Sequence, residues 1–156
     1  MMADNNPDIV HDLRCLPMPF PENTFSAVLS SHLFEHLRKE DFLPLMADIH
    51  RVLRPGGFLI GITPYGTSFD SFENPCHLQQ ITEATYYYAD EELCYREGTA
   101  GYGAGQGYPT RKWTFEQVSF VPFPEFKNEP ADQLEWKRLH YLNIVQELHV
   151  IMKAVK

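Results

Sequence analysis

Apolar positions recur at helical spacing through Phe42, Leu45, Met46, Ile49, Val52 and Leu53, which predicts a helix over 40–53. Pro44 falls about the first turn, where a missing N–H is tolerated. Arg51 and Arg54 suit the negative end of the helix dipole, and Pro55-Gly56-Gly57 stops the helix. Short apolar runs flank this segment. Phe25 to Ser30 and Phe58 to Pro64 read as buried strands, and Pro7 to Asp12 reads as a short strand ending in an acid. Residues 13–24 form a Pro-rich loop with turn chemistry at Glu22-Asn23, and 32–37 start a helical turn. Further on, 82–97 reads as a helix interrupted by the Tyr86-Tyr87-Tyr88 run. Residues 98–110 read as a glycine-rich loop and 122–133 as a Pro- and charge-rich one. Alternation returns from Trp113 to Val121 and from Glu147 to Val155, predicting two late strands. Strand, helix, strand, helix at this spacing predicts an α/β sheet with parallel strands, closed by an antiparallel, hairpin-like end.

Length adds that 156 residues make a single domain, 1–156, with an ordinary globular balance of 44% hydrophobic and 22% charged residues. The 12 prolines and 13% aromatics point to long, structured loops. No apolar run approaches the ~18–20 residues that span a bilayer, and no secretory leader is apparent at the start. Cys15, Cys76 and Cys94 lie far apart without CxxC spacing, which argues for a reducing, cytoplasmic setting and against a disulfide framework. None has the basic or helix-start surroundings that activate a thiol. A net charge of −8 argues against a nucleic-acid partner, because phosphate binding needs a basic footprint.

The chemistry lies in two strings. The first runs from Asp12-Leu13 through Leu16-Pro17-Met18-Pro19-Phe20-Pro21-Glu22-Asn23-Thr24-Phe25, across the strand to Ser30-Ser31-His32 and on to Glu35-His36. The second is Arg51-Val52-Leu53-Arg54-Pro55-Gly56-Gly57. Together they resemble the second half of the cofactor domain of class I S-adenosylmethionine (SAM)-dependent methyltransferases, over about residues 8–64. The resemblance implies a Rossmann-like methyltransferase fold, truncated at the N-terminus, with an antiparallel C-terminal strand. It implies SAM as cofactor. Asp12 would accept a hydrogen bond from the adenine amine, as an ionised carboxylate can, and the Leu13 backbone would read another adenine edge. Ser30, Ser31 and His32 leave a strand at its carboxyl end, where open α/β sheets bind ligands, and would border the sulfonium. Thr63-Pro64-Tyr65 would line the acceptor pocket. The family's Gly-x-Gly-x-Gly loop and its ribose-binding acid have no counterpart before Asp12. The expectation is a domain whose first half is missing from this chain and whose strand edge is left open. That leaves room for a second copy or a complementing chain, and for a non-catalytic module as the alternative to an enzyme.

Other strings compete for a role. The glycine string at 101–107 follows no buried strand and opens no helix, so it reads as a surface or lid loop. His32-Leu33-Phe34-Glu35-His36 matches an inverted zinc-peptidase pattern, and a metal-dependent hydrolase using His32, Glu35 and His36 is the weaker alternative. That reading needs a further acidic ligand, and none is evident. The preferred reading assigns no metal and makes Glu35 and His36 a helix-start hydrogen-bond pair. Some RNA 3′-end and quinone-type methyltransferases place a metal on Glu-x-x-Glu-His plus a later His. Here His32 stands at the first Glu, and His77 is the later histidine. As bases, His36 and His77 are the candidates, since imidazole titrates near neutrality. Trp113, Phe115 and Phe120 read as sheet core, Tyr86 to Tyr88 as a mixed core-and-surface face, and Leu139 to Asn143 as packing ahead of the last strand. The acceptor implied is a small molecule, sugar or peptide.

Overall fold

The computed structural model describes residues 8–95 and 109–156. Its elements in chain order are β1 (Phe25–Ser31), α1 (Lys39–Val52), β2 (Leu53–Pro64), α2 (Phe69–Glu73), α3 (Glu83–Tyr87), β3 (Trp113–Pro122), α4 (Ala131–His140) and β4 (Val145–Ala154). The four strands form one sheet in the order β1-β2-β4-β3. β1 and β2 are parallel and joined through α1, which is the expected parallel unit. β4 runs antiparallel to both β2 and β3, so the late pair closes the sheet as predicted.

Helix α1 carries the core. Phe42, Leu45, Met46, Ile49 and Val52 are buried on its inner face against Leu59 of β2 and Leu148, Val150 and Met152 of β4. Each such side chain contributes about 1.5–3 kcal/mol relative to exposure. Phe34, Phe42 and Tyr86 extend the core toward the carboxyl end of β1, edge to face with centroids 5.4, 5.8 and 6.1 Å apart. Gly61 of β2 permits this packing, because a Cβ there would lie 2.6 Å from the Tyr86 hydroxyl. Arg51 does more than face the helix dipole. Its guanidinium donates to Asp48 Oδ1 at 2.6 Å, Phe20 O at 2.7 Å and Met18 O at 3.1 Å, while Met18 N–H donates to Asp48 Oδ2 at 2.8 Å. These bonds strap the Pro-rich 13–24 segment onto α1.

Several expectations need correction. Residues 8–12 form no strand: Ile9 and Val10 are exposed, and β1 has no partner beyond β2 among the described residues. An unpaired extended segment has no ladder to hold it. For the same reason β1 is not a buried strand. Ser30 is its sole fully buried residue, and Leu29 is 66% exposed. Pro44 sits in the second turn of α1, not the first. The helix ends at Val52, before the Pro-Gly-Gly stop. Leu53 already opens β2, and the register with β1 slips between Phe25 and Ala27. There Gly56 takes φ +74°, a conformation that suits glycine.

The helix expected over 82–97 shrinks to α3 plus a 3₁₀ turn at Leu93–Tyr95. Asp90 explains the break. Its carboxylate accepts from the backbone N–H groups of Glu92, Leu93 and Trp113 at 2.9, 2.7 and 2.8 Å, competing with helical bonding. The glycine string at 101–107 lies outside the described residues. Helix α4 was not foreseen and begins inside the predicted 122–133 loop. It buries no residue fully, so it has no apolar stripe to read.

Candidate functional site

Strand β1 ends at Ser31, and His32 turns the chain off the sheet with φ +49°, while its N–H still donates to Ile62 O at 2.9 Å. The next residues wind into a 3₁₀ turn at Phe34–His36. This turn is stitched to a distant loop: Leu78 N–H donates to Glu35 O at 2.8 Å, and Gln79 Nε2 donates to Phe34 O at 2.9 Å. The stitching brings His77 beside His36, with ring centroids 4.8 Å apart. His36 Nδ1 lies 3.0 Å from Cys76 O, and His77 Nδ1 lies 3.2 Å from Ser71 O. A carbonyl only accepts, so Nδ1 is the donor in both imidazoles, and in the neutral tautomer Nε2 is the lone pair.

Glu35 is 1% exposed, and neither of its carboxylate oxygens has a hydrogen-bond partner among the described residues. One ligand-type atom from each of Glu35, His36 and His77 lies within 4.8 Å of the other two. His32 Nδ1 stands 3.4 Å from Glu35 Oε1, and its Nε2 stands 3.5 Å from Glu147 Oε1. Glu147 Oε2 in turn meets His149 Nε2 at 2.8 Å. Around the same strand ends, the Ser30 hydroxyl is buried without a hydrogen-bond partner among the described residues, and the buried Thr63 and Tyr86 hydroxyls lie against each other. Burial pushes the Tyr86 phenol above its usual range, so it stays protonated.

A cleft of about 360 Å³ opens beside this cluster. It is lined by Asp12, Leu13, Arg14, Leu33 and His36 among others, so two of the predicted cofactor residues share it with a predicted base. Asp12 is a bidentate partner of Arg14, with contacts of 3.0 Å to Oδ1 and 2.7 Å to Oδ2. The guanidinium and the Arg14 N–H hold the Asp12 carboxyl at about 2, hence ionised at any physiological pH.

Of the predicted residues, the fold brings Ser30, His32, His36 and His77 to one end of β1 and β2. Ser31 is exposed at the strand end. The expected Glu35–His36 bond is absent among the described contacts: His36 turns to Cys76 O, and His32 Nδ1 stands 3.4 Å from the Glu35 carboxylate. The His-x-x-Glu-His string does not make one α-helical face either, because His32 lies outside a three-residue 3₁₀ turn. Tyr65 is engaged elsewhere. Its hydroxyl donates to Glu83 Oε2 at 3.1 Å and accepts from Arg138 Nη1 at 2.7 Å. Sequence reasoning missed Glu147 and His149. Their two-residue spacing on a strand puts both on one face, beside Ile62 and Pro64 of β2.

Residues 3–61 match the family model described as a methyltransferase domain. No curated protein sequence matches the chain significantly. Among solved structures, the fold is similar to a SAM-dependent methyltransferase from Archaeoglobus fulgidus, with TM-score 0.58 and 18% identity over 86% of this chain and 61% of that one. It is also similar to a structure from Haloferax volcanii of a methyltransferase in complex with the Trm112 activator (TM-score 0.57, 14% identity, 95% of this chain and 61% of that one). A third is the Burkholderia thailandensis 1,6-didemethyltoxoflavin-N1-methyltransferase with bound S-adenosylhomocysteine (TM-score 0.53, 15% identity, 95% and 50%). The chain thus spans about three-fifths of the length of the first of these structures. With the sequence match at one end and the fold match over most of its length, the chain carries the Rossmann-like fold of the class I SAM-dependent methyltransferases.

Proposed function

We propose that this chain supplies the adenine-side and acceptor-side walls of a SAM-dependent methyltransferase acting on a small molecule, sugar or peptide. The observation that carries the reading is the single cleft that joins Asp12 and Leu13 to His36, with His77 in ring contact behind it. The residues present fit the cofactor there. Asp12 is ionised and only accepts, so an amine would share its oxygens with Arg14; at the carboxyl end of β1, outside the cleft lining, the Ser30 hydroxyl is a buried polar group without a hydrogen-bond partner among the described residues. SAM, when bound, would supply an electrophilic methyl group on a sulfonium.

Asp12 and the Leu13 backbone would hold the adenine, and Ser30, Ser31 and His32 would border the methyl-bearing end. His36 or His77 would take the proton of the acceptor nucleophile on Nε2, the nitrogen left without a proton by the carbonyl bonds at Nδ1. The rest of the rate would come from positioning the acceptor in line with the methyl group. The charge of −8 disfavours a nucleic-acid acceptor.

Calorimetric titration of the chain with SAM tests the reading. Saturable heat, weakened in Asp12→Asn, is expected. No detectable heat from a chain that is folded by circular dichroism overturns it.

A second reading has its own observation. β1 is an edge strand with Leu29 exposed, so a non-catalytic, methyltransferase-like module could act by pairing with another chain. One structural neighbour is itself a methyltransferase in complex with an activator. Monomeric protein that binds SAM would count against this second reading.

A further inference from the structure

We propose that the surface formed by α2 and the end of α4 docks on a zwitterionic lipid bilayer. Its members are Phe69 and Phe72 of α2, Trp136 and Leu139 of α4, and Tyr141 and Leu142 just after that helix. All six are exposed, from 52% at Trp136 to 68% at Leu142. A single exposed apolar residue needs no explanation, but large ones gathered on one surface mark a contact site.

Three features gather these six. On α2, Ser71 is buried, while Phe69 and Phe72, three residues apart, share the outer side. The chain after α4 runs along α2: Asn143 N–H donates to Thr67 O at 3.2 Å, and Gln146 Nε2 donates to Asp70 Oδ2 at 2.9 Å. The Trp136 ring stacks on His140 with centroids 4.4 Å apart and meets the Tyr141 ring edge to face at 5.5 Å. His140 Nδ1 lies 2.7 Å from Trp136 O, which fixes the imidazole in this stack. The aromatic group is therefore held in place while exposed, so docking costs it little side-chain freedom.

Composition and charge select the partner. Trp and Tyr join an apolar ring to a polar atom and concentrate where hydrocarbon meets water. Leu and Phe supply the part that enters the hydrocarbon. Residues 139–145 contain no Asp, Glu, Lys or Arg. The cations of α4 are engaged by carboxylates: Lys137 Nζ bonds Glu129 Oε1 at 2.7 Å, and the Arg138 guanidinium bonds Glu83 and Glu135. A chain of net charge −8 is opposed by anionic headgroups, whereas zwitterionic ones carry no net charge. The open edge that invites another strand lies at β1, and none of the six residues belongs to it. His77 Nδ1 lies 3.2 Å from Ser71 O, so docking through α2 would set a candidate base beside the lipid surface. This consequence rests on the methyltransferase reading. The docking face does not, and the test below needs no SAM.

The experiment is flotation of the chain with phosphatidylcholine vesicles, read together with tryptophan fluorescence. The chain has two tryptophans, and Trp113 is already buried, so a blue shift on adding vesicles reports Trp136. Co-flotation with a blue shift is expected. Leu139→Ser/Leu142→Ser should bind about tenfold or more weakly. Both leucines are exposed, so the fold is expected to survive, with circular dichroism as the check. Leu29→Lys, on the bare face of the sheet, should bind like the parent. Adding anionic phosphatidylglycerol to the vesicles should not tighten binding. Absence of flotation, equal binding by the leucine variant, binding to anionic vesicles alone, or a blue shift that persists in Trp136→Phe overturns the proposal. So does a blue shift that grows with protein concentration without lipid, which would mean that a second copy covers this face.

Discussion

At the scale of single residues, the buried contacts make sharp demands. A Cβ at Gly61 would stand 2.6 Å from the Tyr86 hydroxyl, and Tyr86 is enclosed by Phe34 and Phe42. Overpacking of this kind costs about 1–3 kcal/mol. Urea denaturation should show that loss for Gly61→Ala, and Tyr86→Phe should recover much of it in the double variant, because the clashing atom is the hydroxyl oxygen. Loss of the same size in both backgrounds would show that the backbone, not the hydroxyl, is the constraint. His50 makes a different demand. It is buried against Trp113, with Nε2 at 3.2 Å from both Lys112 O and Val155 O, and burial holds its pKa below the ordinary 6.5. An unfolded chain takes up this proton near pH 6.5, whereas the folded chain resists until a lower pH. The unfolded state therefore binds more protons between those values, and stability falls as the pH drops below about 6.5. His50→Gln keeps a donor for the two carbonyls and does not titrate. Its unfolding free energy should change less between pH 7 and pH 5.5 than that of the parent.

At the scale of elements, α4 shows how a helix holds without an apolar face. None of its residues is fully buried, and its anchor is Arg138. The guanidinium bonds Tyr65 Oη at 2.7 Å, Glu83 Oε1 at 2.9 Å and Glu135 Oε1 at 2.6 Å, and it lies 4.0 Å from the Phe120 ring centroid. Bonds to charged groups contribute about 1.5–3 kcal/mol each way they are lost. Arg138→Ala should speed amide exchange across 131–140 while the α1 amides stay protected. Uniform acceleration of both helices would mean that α4 belongs to the global unit. The same element marks the limit of sequence reading. α1, β2, β3 and β4 were legible because burial on one face imposes a period on Phe42, Leu45, Met46 and Ile49, and on alternate positions of the strands. α4 lives on charge and cation–π contacts, which leave no period. The break in the 82–97 helix depends on Asp90 reaching Trp113, a contact that no local pattern encodes. The site was legible in its parts. Asp12, Ser30, His32, His36 and His77 stand out in the chain, but the isolation of the Glu35 carboxylate and the approach of Glu147 and His149 appear only once β4 lies beside β2.

At the scale of the whole molecule, the described residues cover one face of the sheet and leave the other largely bare. Val28 and Ser30 of β1 and Leu59 and Gly61 of β2 face α1. The opposite face carries Ala27, Leu29, Phe58, Ile60, Ile62 and Ile151, of which Leu29 is 66% and Phe58 38% exposed. Polar residues of β3 and β4, among them Gln117, His149 and Lys153, stand beside this patch. β1 adds an unpaired edge to the bare face, because among the described residues its ladder ends at β2. Exposed apolar area joined to an open strand edge is what a sheet uses to take on another strand or layer. The chain alone should therefore associate. Light scattering across a concentration series should show mass rising with concentration, and Leu29→Lys should hold it nearer the monomer, since a lysine on an edge strand opposes pairing while costing little where the native side chain is already exposed. A parent that stays monomeric throughout would mean that the bare face is tolerated in water, and the case for a complementing chain would lose its physical basis. A parent that associates while Leu29→Lys associates equally would place the contact elsewhere, away from β1, and would separate the open edge from the partner question.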